Sequence, residues 1–306
     1  MESVEERLGA VATTYTGRLG EACRATLDAG GKRVRPLLTL LCARRDEALG
    51  ERVLRGATAI ELLHMATLVH DDVLDRAELR RGRPTVAHEY GVETAVSAGN
   101  FLLARAFQEL VGAGDPGAVD VLSATAVGLS EGEVLQRDDA YRVTVTQAEY
   151  ELRCERKTAD LFAAACRLGA TLSGAGDPAA AALSQYGRHI GLAFQVFDDI
   201  LDCSGDEIST GKRPGADVRD GTVTLPLIFA LEVQPELARL LSRKGLGAAD
   251  VATVLETVAV SGALARARGV ALGYIEEALR VLGTCPDLVE RDLLGEVAAQ
   301  VVDRYS

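Results

Sequence analysis

Apolar residues recur every three or four positions along most of this chain, with polar residues between them, as amphipathic helices require. Only the segment 142–146 alternates as a strand would, and it is too short to build a sheet. Helix-start signals support several boundaries, among them Thr146 with Glu149 three residues later, and the prolines at 178 and 235. The pattern predicts an all-α protein with helices at roughly 2–27, 33–49, 51–76, 92–112, 117–137, 147–173, 178–203, 219–232, 235–243, 248–259, 262–283 and 287–304.

No low-complexity linker divides these predicted helices. We therefore expect a single domain over residues 1–306, built as one large helical bundle with the active-site cavity in its interior. The longest polar, glycine-bearing segment is 204–220, and a loop of that length is more often functional than accidental.

Composition narrows what such a bundle can bind. The chain has 306 residues, of which 48% are hydrophobic, but only 4% are aromatic and none is Trp. Any large pocket must therefore be lined mainly by aliphatic side chains. The net charge of −12 argues against binding nucleic acid through a basic face.

The six cysteines show no metal-ligand spacing, and we expect them to be thiols in a reducing compartment. The N-terminal residues 1–6 are acidic and lack the plan of a signal peptide. Polar residues such as Glu61, His64 and His70 interrupt the apolar stretches before they reach membrane-spanning length. These features predict a cytoplasmic protein without a membrane span.

The most informative chemistry is a carboxylate pattern that occurs twice, as Asp71-Asp72-Val73-Leu74-Asp75 and Asp198-Asp199-Ile200-Leu201-Asp202. Each copy follows an apolar run, and on a helix its first and last aspartates share a face. Carboxylates that point one way repel each other but suit a hard divalent cation such as Mg²⁺, which prefers oxygen ligands and substrate phosphates. Either copy alone could be a solvated helix face; two copies in the same apolar context favour a metal site.

Basic clusters accompany the acidic ones. They are Lys32, Arg33 and Arg35 within the run 30–36, Arg80 and Arg81 before Gly82, Lys157 beside Thr158, and Lys212 after Gly211. Arginine offers a planar fork to phosphate oxygens, and lysine offers a compact charge. Together with the carboxylates, these cations predict a site for polyanions that bind partly through metal ions.

In their order along the chain, these motifs resemble those of the trans-isoprenyl diphosphate synthases, the polyprenyl synthetase family. The resemblance covers essentially the entire chain and rests on Gly-Gly-Lys-Arg-Val-Arg-Pro at 30–36, His64, the two aspartate copies, Arg80-Arg81-Gly82, Lys157-Thr158, Phe194-Gln195, Gly211-Lys212 and Thr224-Leu225-Pro226. It implies an isoprenoid synthase fold and a homodimer, with helices 92–112 and 117–137 at the dimer interface.

The resemblance also implies a reaction: the Mg²⁺-dependent head-to-tail condensation of isopentenyl diphosphate with an allylic diphosphate. Three Mg²⁺ ions bridging the allylic diphosphate would be held by Asp71, Asp72, Asp75, Asp198, Asp199 and Asp202. The same diphosphate would contact Arg80, Lys157, Thr158, Gln195 and Lys212, and the diphosphate of isopentenyl diphosphate would contact Lys32, Arg35, His64 and Arg81. The aspartates and Lys157 would be catalytic, because neutralising the leaving diphosphate eases formation of an allylic cation.

Product length depends, by the same resemblance, on the two residues five and four positions before Asp71. These are Ala66 and Thr67, whereas the shortest-chain synthases have bulky aromatic residues there. Small side chains at both positions predict a product longer than geranylgeranyl, as in medium- and long-chain bacterial members. A geranylgeranyl or farnesyl diphosphate synthase is the alternative.

Two positions depart from the family pattern: Thr222 replaces a frequent lysine, and Asn100 replaces a usual aspartate. A class I terpene cyclase is a more remote alternative, since a cyclase has one diphosphate substrate and no use for a second anion pocket. A catalytic subunit that requires a partner is also compatible with the sequence, whereas a non-catalytic subunit would have lost the aspartates.

Overall fold

The structure is a computed structural model that describes residues 1–47, 50–204, 214–285 and 289–303. Its α-helices are α1 (Glu2–Thr13), α2 (Arg18–Asp28), α3 (Val34–Leu41), α4 (Glu51–Leu74), α5 (Val86–Tyr90), α6 (Val92–Ala113), α7 (Pro116–Asp138), α8 (Gln147–Cys154), α9 (Asp160–Leu172), α10 (Asp177–Ser204), α11 (Ala216–Asp220), α12 (Leu225–Val233), α13 (Ala238–Leu241), α14 (Ala248–Val260), α15 (Ala263–Gly283) and α16 (Arg291–Asp303). A π-helix, Glu155–Ala159, connects α8 to α9, and a 3₁₀-helix, Pro235–Leu237, precedes α13.

Within the described residues, β-structure is confined to one short hairpin, β1 (Leu79–Arg80) and β2 (Arg83–Pro84). The prediction of an all-α protein is therefore confirmed. The segment 142–146, which alternates like a strand, is a turn that ends at Thr146. Thr146 caps α8 in the capping box that its spacing to Glu149 predicts.

Three predicted helices are interrupted or shorter than their apolar periodicity suggests. The one predicted at 219–232 is divided between α11 and α12. The helix predicted at 2–27 is divided between α1 and α2, because Gly17 adopts a φ of +76°. The helix predicted at 33–49 ends at Leu41, and the amide of Arg44 donates to the hydroxyl of Ser173 at 3.0 Å. A side-chain partner that is distant in sequence has no signal in local periodicity.

The chain forms two compact units. The first comprises residues 1–126, 161–187 and 284–294. In it α4 packs along α6 and also contacts α1, α2, α3 and α5. Its core contains Leu38, Ile60, Leu102 and Phe162. This packing holds the end of α4, with the first aspartate motif, next to the β-hairpin.

The second unit comprises residues 127–160, 188–283 and 295–306, of which 205–213 and 304–306 lie outside the described residues. In it α12 packs against α14 and α15 around Phe197, Phe229 and Val254. This unit carries the second aspartate motif. One domain over residues 1–306 stays a prediction.

None of the described helices is by itself both long enough and apolar enough to cross a membrane. The pair α14 and α15 reaches that length and composition only when the two are taken together, and they are bent by 66°.

Candidate active site

The first aspartate motif ends α4, where Asp75 is the C-cap residue. Asp72 is buried and pairs with Arg80, whose Nε and Nη2 both lie 2.8 Å from Oδ1 of Asp72. Burial raises the pKa of Asp72, and the charge of Arg80 offsets part of that rise. Asp72 therefore anchors a half-buried arginine, whereas Asp71 is itself half-buried and Asp75 is exposed.

The hairpin gives the two consecutive arginines different directions. Its turn residues, Arg81 and Gly82, have φ values of 53° and 74°, as in a type I′ turn. Glycine adopts this conformation without strain, which is the local reason for a glycine after the arginines. Arg81 donates to the carbonyl oxygen of Gly30. The hairpin thus connects the Arg80-Arg81-Gly82 run to the loop that contains Lys32.

Arg35 and His64 lie side by side in the same unit. Nη1 of Arg35 is 3.2 Å from Nε2 of His64, and the guanidinium lies 4.6 Å from the centre of the Phe162 ring. Burial, together with the charges of Arg35 and Arg81, holds the pKa of His64 well below its usual value. His64 is therefore neutral at pH 7, so its Nε2 can accept a hydrogen bond from Arg35.

Arg35 also has an unused donor. Its Nε is buried and has no hydrogen-bond partner among the described residues. Burial lowers the pKa of Arg35 to about 10, against the favourable charge of Glu61, but the group stays protonated at neutral pH. A buried guanidinium with an unsatisfied N–H is a suitable binding group for a phosphate oxygen.

An open cleft in this unit places Arg33, Arg80 and Arg81 beside an apolar wall, whereas Lys32 and Arg35 do not line it. It is lined by Ala25, Thr26, Ala29, Gly30, Arg33, Glu61, His64, Met65, Leu68, Val69, Asp72, Arg80, Arg81, Pro84, Thr85 and Val86. Its apolar residues are aliphatic, as the composition predicts. The combination suits an anionic head group that carries a short hydrocarbon tail.

The two predicted chain-length residues are not part of this lining. Ala66 is fully buried within α4, and the hydroxyl of Thr67 donates to the carbonyl of His64 at 2.8 Å. Both side chains are small and lie one turn before the aspartate motif, as their sequence positions require.

In the second motif, Asp199 is at the centre of a buried hydrogen-bond chain. The hydroxyl of Tyr150 donates to one carboxylate oxygen at 2.6 Å, and the amide of Gln195 donates to the other at 2.8 Å. Thr158 in turn donates to Oε1 of Gln195 at 2.7 Å. Burial raises the pKa of Asp199, and these hydrogen bonds offset part of the rise. The structure thus brings together three predicted site residues, Thr158, Gln195 and Asp199, and adds Tyr150, which no sequence motif singled out.

Asp202 has a structural partner as well. Its two carboxylate oxygens accept the backbone N–H groups of Ala216 at 3.0 Å and Asp217 at 3.1 Å, at the start of α11. Asp217 is a further acidic residue that sequence reasoning missed, although it lies in the polar segment 204–220. Burial, followed by the charges of Asp199 and Asp202, raises its pKa well above the usual range. Lys212, also predicted from this segment, lies outside the described residues.

Lys157 lies in the π-helix and has a carboxylate partner. Its Nζ donates to Glu133 of α7 at 2.6 Å, and Glu133 also pairs with Arg137 at 3.0 Å. These two cations outweigh burial and lower the pKa of Glu133. Gly132 permits the close approach, since a Cβ there would lie 2.6 Å from the backbone nitrogen of Lys157. Glu133 was not predicted from the sequence.

The chemistry of the second unit suits Mg²⁺. Asp198 raises the pKa values of Asp199, Asp202 and Asp217, so several carboxylates share one region. Oxygen ligands and surplus negative charge are what a hard divalent cation requires. Among the described residues, no three His, Cys, Asp or Glu side chains are already grouped as a metal site.

Solved structures establish the fold class. The heptaprenyl diphosphate synthase from Staphylococcus aureus matches this chain with a TM-score of 0.94 and 31% sequence identity, over 100% of this chain and 97% of that chain. The chain therefore has the all-α isoprenoid synthase fold.

Residues 16–258 match the Polyprenyl synthetase family, and the chain belongs to that family. It is 39% identical to heptaprenyl diphosphate synthase component 2 of Geobacillus stearothermophilus, over 99% of this chain and 95% of that protein. It is also 39% identical to the geranylgeranyl diphosphate synthase of Methanosarcina mazei, over 95% of this chain and 91% of that protein. The chain is accordingly a prenyltransferase that condenses isopentenyl diphosphate with an allylic diphosphate, in a family that depends on Mg²⁺.

Proposed function

We propose that this chain synthesises a polyprenyl diphosphate longer than geranylgeranyl, and that Lys32, Arg35, His64 and Arg81 bind the diphosphate of isopentenyl diphosphate. The observation that carries this assignment is the pairing of Arg35 with His64, with a buried donor of Arg35 left for an anion. Hydrogen bonds from Lys32 and Arg81, in the same unit, would complete the recognition of this diphosphate.

In the first unit, Asp71, Asp72 and Asp75 are the proposed Mg²⁺ ligands, and Asp72 also pairs with Arg80, a proposed contact of the allylic diphosphate. In the second unit, Asp198, Asp199 and Asp202 are the proposed ligands. Hydrogen bonds from this chain orient Asp199 and Asp202. We assign the contacts to the allylic diphosphate to Lys157, Thr158, Gln195 and Lys212. The proposed number of Mg²⁺ ions is three.

When bound, Mg²⁺ neutralises the allylic diphosphate and so lowers the barrier to its departure. Lys157, held in place by Glu133, adds a fixed positive charge that stabilises the same leaving group. Arg35 and Arg81 fix the diphosphate of the second substrate, and holding a substrate in this way lowers the entropy cost of the encounter between the two substrates. We assign the proton lost from the isopentenyl unit to the departing diphosphate.

The proposed product length rests on the small side chains of Ala66 and Thr67. It is tested by incubating the protein with Mg²⁺, farnesyl diphosphate and radiolabelled isopentenyl diphosphate, then separating the dephosphorylated products by chain length. We expect products longer than the C20 alcohol, and C20 alone would show the length to be wrong. Pyrophosphate release from the allylic compound without isopentenyl diphosphate, together with a hydrocarbon product, would point to a cyclase instead.

A homodimer is the proposed assembly, supported by exposed apolar residues on α6, among them Val96 and Val111, the latter 66% exposed. Sedimentation of the wild type and of a Val96→Asp, Val111→Asp variant should give a dimer and a monomer, respectively. A monomeric, inactive wild type would favour a required second subunit, as the name of the Geobacillus relative, a synthase component, suggests for that protein. The cytoplasmic location stays a prediction.

A further inference from the structure

Arg33, the central cation of the run 30–36, is held inside the protein by three helices. Its Nε donates to Glu5 of α1 at 2.7 Å, and its Nη1 donates to Glu61 of α4 at 2.8 Å. Its Nη2 lies 3.3 Å from the carbonyl oxygen of Leu27 in α2. Burial lowers the pKa of Arg33, but the hydrogen bonds to Glu5 and Glu61 outweigh it and raise the pKa overall. Arg33 is thus committed to protein partners.

The backbone of Arg33 is in a conformation that needs such support. Its φ of 49° and ψ of 35° are left-handed, at the N-cap of α3. For a residue with a Cβ this costs about 1 kcal/mol or more, and it persists only where the surroundings hold it. The kink separates Lys32, on one side, from Arg35, on the other. The clamp on the Arg33 side chain therefore fixes the relative direction of two proposed substrate ligands.

Glu61 supplies the internal charge of this clamp. It is only 3% exposed, and it lines the same cleft as His64 and Arg81. Its charge raises the pKa values of Arg35 and Arg81, against burial and against the repulsion between arginines. A carboxylate in this position keeps like charges close together while no diphosphate is bound.

We propose that Glu61 and Arg33 are positioning residues for isopentenyl diphosphate. Glu61 holds Arg33, Arg33 holds the left-handed kink, and the kink aims Lys32 and Arg35 at one anion. This inference rests on the proposed function, because it takes Lys32, Arg35 and Arg81 as ligands of that substrate. Glu5 is the outer arm of the clamp, with 44% of its side chain exposed, and contributes less.

The decisive variant is Glu61→Gln, which keeps the shape of the side chain and removes its charge. We expect the KM for isopentenyl diphosphate to rise roughly tenfold, as when a charge-assisted hydrogen bond that orients a ligand is lost. The KM for the allylic diphosphate should stay within about twofold, because this substrate is assigned to other groups. Arg33→Gly should reproduce the effect, since glycine retains the left-handed backbone but not the clamp.

Glu109→Gln is the matched control. Glu109 is 8% exposed in the same unit, and it also pairs with arginines, including Arg55 at 3.0 Å, but it does not line the cleft. Its variant should lower the unfolding temperature without changing either KM. An unchanged KM for isopentenyl diphosphate in Glu61→Gln, or equal rises for both substrates, would overturn the inference.

Two further variants separate the possible failures. If Arg81→Met leaves the KM for isopentenyl diphosphate unchanged, the assignment of the pocket under the proposed function is wrong. If Arg81→Met raises that KM and Glu61→Gln does not, only the positioning inference fails. Should Glu61→Gln not fold, Glu5→Gln replaces it, because an exposed carboxylate can be lost without unfolding the chain. A rise of about twofold to threefold in the KM for isopentenyl diphosphate would support the clamp. If this KM rises in neither Glu5→Gln nor Arg33→Gly, the inference is overturned.

Discussion

Tyr150 shows how much a single hydroxyl can contribute to the second aspartate motif. It donates to buried Asp199, the neighbour of the proposed ligand Asp198. Tyr150→Phe leaves that carboxylate with one fewer donor, which should cost about 1–3 kcal/mol of folding free energy. Mutation of groups that orient metal ligands typically lowers metal affinity or activity about 10–100-fold. We therefore also expect the Mg²⁺ concentration for half-maximal activity to rise by about tenfold or more.

Tyr186→Phe is the control for this prediction, measured by denaturant unfolding and Mg²⁺ titration of the activity. Tyr186 is equally buried, and its hydroxyl donates at 2.6 Å to the carbonyl oxygen of Leu294. Its variant should lose stability but keep the Mg²⁺ dependence of the wild type. If both variants shift the Mg²⁺ dependence alike, the effect is one of stability and Tyr150 has no special role.

His64 predicts a pH dependence of folding in the absence of substrates. Its pKa in the folded state lies well below the usual 6.5, chiefly through burial and then through Arg35. Below pH 6.5 the unfolded chain therefore binds a proton that the folded chain does not, so stability falls as the pH falls. We expect His64→Gln to reduce the loss of unfolding free energy between pH 7.5 and pH 5, by up to about 1.4 kcal/mol per pH unit below 6.5.

Chemical denaturation of the two proteins across this pH range measures the effect. The pKa of His189 is also lowered by burial, so His189→Gln is a second variant that should flatten the same slope independently. Parallel stability curves for the wild type and His64→Gln would mean that His64 is already accessible to protons in the folded state.

At the scale of elements, the π-helix places Lys157 where α7 can hold it. The amphipathic pattern predicts one helix from 147 to 173, and the chain does remain helical there, but with a wider turn at 155–159. Such a turn is typical of functional sites. Periodicity does not reveal it, because α9 is buried on nearly every face and therefore has no polar stripe that would show the phase shift of about 100° from one inserted residue. The sequence did not single out Glu133 and Gly132, because their importance depends on Lys157, which approaches them from the π-helix.

Gly132→Ala tests this junction. Alanine in a helix normally gains up to about 1 kcal/mol over glycine, but here its Cβ would meet backbone atoms of Lys157 and Arg156. Overpacking of this kind costs about 1–3 kcal/mol. We expect a net loss of stability and a higher KM for the allylic diphosphate, measured by thermal unfolding and steady-state kinetics.

Gly128→Ala, one turn earlier on α7, is its matched control. The added Cβ would meet mainly the carboxylate of Asp160, at 3.0 Å, and that flexible end of a side chain can move aside. This variant should be neutral or slightly stabilised, with unchanged kinetics. A similar loss in both variants would argue that α7 tolerates no added atom anywhere along this face.

For the whole molecule, the sequence was sufficient for the fold class and the reaction, because ordered motifs and helical periodicity are both properties of the chain itself. Which contacts each aspartate makes could not be read in the same way. Asp71, Asp72 and Asp75 look alike in the sequence, but in the structure Asp72 is buried and paired with Arg80, whereas Asp75 is exposed. The hydrogen bond from the backbone N–H of Ala216, at the start of α11, to Asp202 likewise joins positions that are not neighbours in the sequence.

Product length is the property of the whole molecule that a single substitution can test. Ala66 is fully buried on α4, five residues before Asp71. Ala66→Phe should shorten the product distribution, because a bulky ring below the first aspartate motif would occupy space needed by a growing prenyl chain. Overpacking should also cost about 1–3 kcal/mol of stability, so the length effect needs a control with the same cost.

Ala57→Phe supplies that control. Ala57 is also fully buried on α4, and nine residues place it on the opposite face of the helix from Ala66. Chromatography of products from radiolabelled isopentenyl diphosphate should show shorter chains for Ala66→Phe and wild-type lengths for Ala57→Phe. Shortening in both would trace the change to loosened packing of α4. Wild-type lengths in a folded, active Ala66→Phe would remove this position from the control of chain growth and shift the search to residues deeper along α4 and α6.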